Sequence, residues 1–200
     1  MKVKDVIEAI VGPSNKEIDE IMAIILKHVV ANSSVLKFET SVNPYLKPYG
    51  IKFDLHDEEL LRVGALARTE PGLIVFLTPP MRELSKPGFK LILSHELVHA
   101  EQLKRAGKTG AERMYASSMK RLFPNGNEEP MDRNAYFTDK QEVMAYAKSA
   151  VDKLIYDKVH PYDIVRMAKK GKINSPVLGH GKKTDDLFRR YVVAYAIKET

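Results

Sequence analysis

The stretch Pro87-Gly88-Phe89-Lys90-Leu91-Ile92-Leu93-Ser94-His95-Glu96-Leu97-Val98-His99 decides how the rest of the chain is read. Proline suits a first helical turn and Gly107 suits a stop, so the sequence predicts a helix over residues 89–105. Its first half is almost wholly apolar. With Leu91, Ile92, Leu93, Leu97 and Val98 on several sides, it belongs in the middle of a domain, and its polar residues require a reason. His95 and His99 are four residues apart, which stacks them on one helix face and lets both imidazoles reach one ion. Glu96 then lies beside the position such an ion would leave open.

Zinc accepts imidazole nitrogen readily, and two histidines plus one further ligand leave the fourth tetrahedral position for water. That water has its pKa lowered toward about 7, so Glu96 can take its proton as general base and later pass it to a leaving amine. Burying three ionisable groups here without a metal would be costly. The chain has no cysteine, which excludes disulfides and thiolate sites and leaves His, Asp and Glu as ligands. Gln102 and Arg105 stand where a metzincin carries glycine and histidine, and that family is excluded. No histidine occurs between His99 and His160, so the third ligand is read as a carboxylate. Glu101, Glu112, Asp139 and Glu142 are the choices, of which Glu101 points off the ligand face.

Outward from this helix, Ser14-Asn15-Lys16-Glu17 has capping-box spacing, and Ile18, Ile21, Met22, Ile25 and Val29 recur at helical intervals up to about Asn32. Between 35 and 78 short apolar runs predict a small sheet, with Ile51, Phe53 and Leu55 alternating as a half-buried strand does. The segments 63–68 and 73–77 flank Glu70-Pro71-Gly72, a turn signal, and read as a hairpin whose second arm is well buried. A second helix is predicted over 111–122, followed by a loop over 124–130. Thr138-Asp139-Lys140-Gln141 again has capping-box spacing, and Val143, Ala147, Ala150, Val151 and Leu154 form the stripe of the next helix. Shorter helices are expected near 161–170 and 185–198. With neither a repeat nor a dividing linker, residues 1–200 read as one α+β domain.

His95-Glu96-Leu97-Val98-His99-Ala100-Glu101-Gln102, taken with Tyr136-Phe137-Thr138-Asp139-Lys140-Gln141-Glu142-Val143-Met144-Ala145-Tyr146-Ala147, resembles a minimal gluzincin metallopeptidase over roughly residues 63–155. The resemblance implies a zincin-like fold and a zinc ion, with Glu142 as third ligand and the small Ala145 and Ala147 letting its helix approach the active-site helix. Thermolysin-like members carry an acidic residue four positions after that ligand to orient a histidine; here the position is Tyr146. The resemblance further implies a downstream His or Tyr that hydrogen-bonds the oxyanion, a role open to His180, Tyr136, Tyr146 and Tyr191, and an edge strand that receives extended substrate, for which the 73–77 arm is the candidate. His28 and His56 read as packing or surface residues, and His160-Pro161 as a helix lead-in.

The expected reaction is therefore zinc-dependent hydrolysis of a peptide or protein substrate. The charges at Asp5 and Glu8 interrupt any signal-peptide core, and no apolar run approaches the roughly 20 residues that span a bilayer, so a cytoplasmic protein without a membrane partner is expected. The formal charge of +6 and the runs Lys169-Lys170-Gly171-Lys172, Gly181-Lys182-Lys183 and Arg189-Arg190 are read first as a solvated surface, with no nucleic-acid partner expected. The alternative is a non-catalytic zincin-like binding protein contacting nucleic acid through that basic segment.

Overall fold

The capping box at Ser14 starts the first helix: the Glu17 N–H donates to Ser14 Oγ at 3.2 Å, and α1 (Asn15–Ala31) buries Ile18, Ile21, Met22 and Ile25. A computed structural model of the chain describes residues 12–31, 34–78, 86–122 and 132–200, so the loop expected over 124–130 lies outside the described residues. The fold is mixed α+β, mostly helical, with one three-stranded mixed sheet. Pro13–Tyr115 forms one compact unit and the chain from Ala116 to Thr200 belongs to another.

In the first unit, α2 (Val35–Leu46) occupies a segment expected to be extended. Ser34 caps it by accepting from the Lys37 N–H, and Phe38, Val42 and Leu46 recur four apart on its buried face. Pro44 sits inside its last turns, and a short 3-10 turn, Lys47–Tyr49, leads through Gly50 into β1 (Ile51–Asp54). Gly50 has φ +65°, and a Cβ there would stand 2.8 Å from the Gly72 carbonyl oxygen, so only glycine fits this close backbone approach. A hairpin forms from β2 (Ala67–Glu70) and β3 (Leu73–Leu77), paired antiparallel, but its first arm lies later than the expected 63–68 because the short helix α3 (Glu58–Val63), closed by Gly64, takes the start of that segment.

β1 pairs with the other side of β3 in parallel, giving the order β1-β3-β2. The 73–77 arm is thus the central strand and cannot receive substrate as an edge. Its unbroken apolar run, Leu73-Ile74-Val75-Phe76-Leu77, is the pattern of a strand covered on both faces: Ile74 and Phe76 join the large core, whereas Val75 and Leu77 pack with Leu60. Asn43 blocks the β1 edge with its side chain, donating to the Phe53 carbonyl at 2.9 Å and accepting from the Phe53 N–H at 2.8 Å.

The long helix α4 (Lys86–Leu122) is interrupted at Gly107, with φ 69° and ψ 170°, so the stop read at Gly107 separates two helical stretches. Phe89, Leu93 and Leu97, four apart, lie in the same core as Phe53 and Phe76. The Phe89 ring sits 6.2 Å from Phe53 and 5.7 Å from Phe76. This stripe fixes the helix against the sheet and turns His95 and His99 to a different face.

In the second unit, α5 (Arg133–Thr138) precedes α6 (Lys140–Tyr156), α7 (Pro161–Lys169) and α8 (Lys182–Lys198). The cap of α6 is Asp139, which accepts from the Gln141 N–H, rather than Thr138. Thr138 instead closes α5 by donating to the Asn134 carbonyl at 2.8 Å. Val143, Ala147 and Val151 of α6, Ile164 of α7 and Phe188, Val192 and Tyr195 of α8 are buried, and α8 packs on both α6 and α7. Lys148 and Asp152, one turn apart on α6, form a buried ion pair that Glu199 joins at 3.8 Å.

Candidate metal centre

Helical spacing brings His95 and His99 together, with Nε2 atoms 3.1 Å apart and rings edge to face. Two imidazole nitrogens bound about 2.0–2.1 Å from one tetrahedral zinc would stand about 3.3 Å apart, so the observed pair is within a few tenths of an ångström of that geometry. On the other side of the His99 ring, Nδ1 lies 3.1 Å from Gln102 Oε1. The position of Gln102 three residues beyond His99, within reach across one helical turn, is the sequence signal for this contact.

Glu96 is buried, and its Oε2 accepts from Thr69 Oγ1 at 2.6 Å, while the same hydroxyl lies 3.3 Å from the Glu96 carbonyl. Thr69 is on β2, the edge strand opposite the one Asn43 blocks. No local sequence signal links residues 27 positions apart, and Thr69 was missed for that reason. Next to it, Arg68 sits among Asp57 at 3.0 Å, Glu70 at 3.1 Å and Glu59 at 3.6 Å. Burial would lower the Arg68 pKa, but hydrogen bonds and charge from these carboxylates raise it above its ordinary value. The Arg68 charge is thus neutralised locally and braces β2.

In the second unit, Glu142 is in the first turn of α6 and half-buried. Tyr136 of α5 is its neighbour. Burial, then the Glu142 charge and hydrogen bonds to Glu142 and Tyr146, push the Tyr136 hydroxyl far above the usual tyrosine range. It is therefore a neutral donor at any working pH, able to hold the Glu142 carboxylate in place. The His180 ring lies 4.9 Å from Phe137, tilted by 31°, and its Nδ1 lies 3.2 Å from Asn134 Oδ1, while Phe137 and Tyr146 are 6.1 Å apart. Tyr136, Phe137, Tyr146 and His180 thus form one aromatic group on the α5 side of Glu142.

The other carboxylates weighed as ligands are occupied or exposed. Asp139 caps α6 with one oxygen and pairs with Arg121 through the other. Glu101 pairs with Lys104 and Arg105, and Glu112 is exposed. Tyr191 is 1% exposed in the helical core, its hydroxyl without a hydrogen-bond partner among the described residues and its pKa pushed up to about 12 by burial. It is sealed from any substrate.

His28 contacts Ser41 and Tyr45, and His160 caps α7 by accepting from the Tyr162 N–H. The basic runs lie side by side within the second unit: a side chain at Gly171 would meet the Arg189 guanidinium at 3.5 Å. Lys182, Lys183, Asp186, Leu187 and Arg190 line a cavity of about 480 Å³. Among the described residues no helix is long and apolar enough to cross a membrane. Comparison with protein families, curated proteins and solved structures finds no match.

Proposed function

We propose that this protein is a zinc-dependent metallopeptidase of the minimal gluzincin type with a zincin-like fold. The observation that carries the reading is the His95 and His99 pair, whose Nε2 atoms are set at a spacing suited to one tetrahedral ion. His95, His99 and Glu142 each offer one ligand atom, and among the described residues they are the set that could hold an ion. A cysteine-free donor set of two imidazoles and a carboxylate matches catalytic zinc and leaves a coordination position open. Bound there, zinc would acidify a water molecule and polarise the scissile carbonyl.

The chain's own groups supply the rest. Glu96 takes the proton from the attacking water and delivers it to the leaving amine. Thr69, by donating to one Glu96 oxygen, keeps that carboxylate in one orientation and leaves the other oxygen for the proton. β2 is the sheet edge beside this base, and an extended peptide would pair with it through backbone hydrogen bonds. Tyr136 orients Glu142, and His180 and Tyr146 are the remaining candidates for contact with the oxyanion.

The test is Glu96→Gln assayed on a mixed peptide library. The variant should keep its zinc and lose hydrolysis by about 10²- to 10⁴-fold; turnover equal to wild type would remove Glu96 from the reaction.

A further inference from the structure

We infer that Gln102 is the positioning residue that sets the tautomer of His99, an inference that rests on the metal reading above. His99 has only two ring nitrogens. Nε2 faces His95 at 3.1 Å and Nδ1 faces Gln102 Oε1 at 3.1 Å. A carboxamide oxygen only accepts, so Nδ1 carries the hydrogen and donates it, and Nε2 is left with its lone pair directed at the point the two histidines share. That lone pair is what a metal ligand requires.

Two features make Gln102 more than an incidental neighbour. It is 9% exposed, so water competes poorly for its oxygen, and it stands three residues beyond His99 on the same helix, which fixes the distance through the backbone. Histidine ligands are commonly held by a carboxylate, backbone carbonyl or water, and such partners matter nearly as much as the ligands. Here the partner is a neutral amide. It selects the tautomer by accepting one hydrogen bond and adds no charge of its own.

The experiment uses the full-length chain with Gln102→Leu and Gln102→Glu, read by long-range ¹⁵N–¹H NMR of the His99 ring before metal addition and by zinc affinity in chelator competition. Wild type should show the Nδ1–H tautomer. Gln102→Leu should show mixed tautomers and bind zinc about 10- to 100-fold more weakly, whereas Gln102→Glu, which keeps an acceptor, should retain the tautomer and bind at least as tightly as wild type. An Nε2–H tautomer in wild type, or unchanged affinity in Gln102→Leu, overturns the inference. Failure of wild type to take up zinc would instead defeat the metal reading, and the tautomer measurement would still decide the role of Gln102.

Discussion

Thr69 and Gln102 are neutral side chains, each hydrogen-bonded to a charged or metal-seeking side chain. For Thr69 the consequence is kinetic. Thr69→Val preserves the β-branched shape that suits a strand but removes the donor to Glu96, so kcat should fall about tenfold, the loss of roughly one hydrogen bond's worth of free energy, while zinc content stays the same. Steady-state kinetics beside metal analysis checks this, and unchanged kcat would show that Glu96 needs no such partner. The histidines and Glu96 were legible because a 3.6-residue period dictates which side chains share a face. Thr69 was not, since its contact depends on where a strand 27 residues upstream is laid.

At the scale of elements, periodicity placed α1, the hairpin, both stretches of α4 and the stripe of α6. It failed at α2, where Phe38, Val42 and Leu46 carry a helical period but the short apolar runs over 35–78 were read together as sheet. The cap of α6 shifted by one residue because Thr138 and Asp139 both suit that position and the preceding helix α5 claimed Thr138. Gly107 illustrates a stop read correctly. Its φ of 69° with ψ of 170° is open to glycine alone, and nothing lies within 4 Å of a Cβ there, so Gly107→Ala should lose about 1–3 kcal/mol through backbone strain only, measured by urea unfolding.

Asp57 ties α3 to β2 by capping the Leu60 N–H at 2.9 Å and pairing with Arg68. Burial alone would raise its pKa, but the cap and Arg68 prevail and hold the carboxyl below its ordinary value. A depressed folded pKa contributes stability that is complete above the unfolded value of about 3.9 and is lost as pH falls through the folded value. Asp57→Asn should therefore be less stable than wild type by about 1–2 kcal/mol at pH 7, with the gap closing as the pH is taken well below the ordinary carboxylate value of about 3.9. Unfolding curves at the two pH values test this; a gap independent of pH would assign Asp57 a purely steric role.

At the scale of the whole molecule, the mixed α+β class was legible from the change of period along the chain, and the absence of cysteine already confined any metal to nitrogen and oxygen ligands. Strand order was harder to read. Periodicity gives burial but not adjacency, and the central place of β3 was available only from its wholly apolar run. A ligand that binds the folded chain and not the unfolded one stabilises it, so zinc binding to the proposed centre should raise the stability of the protein.

The most direct measurement is metal content by mass spectrometry on protein purified without added zinc, comparing wild type with His99→Ala and Glu142→Ala. The proposal predicts about one zinc per wild-type chain and its loss in both variants. A wild-type protein that is metal-free and cannot be reloaded would contradict it.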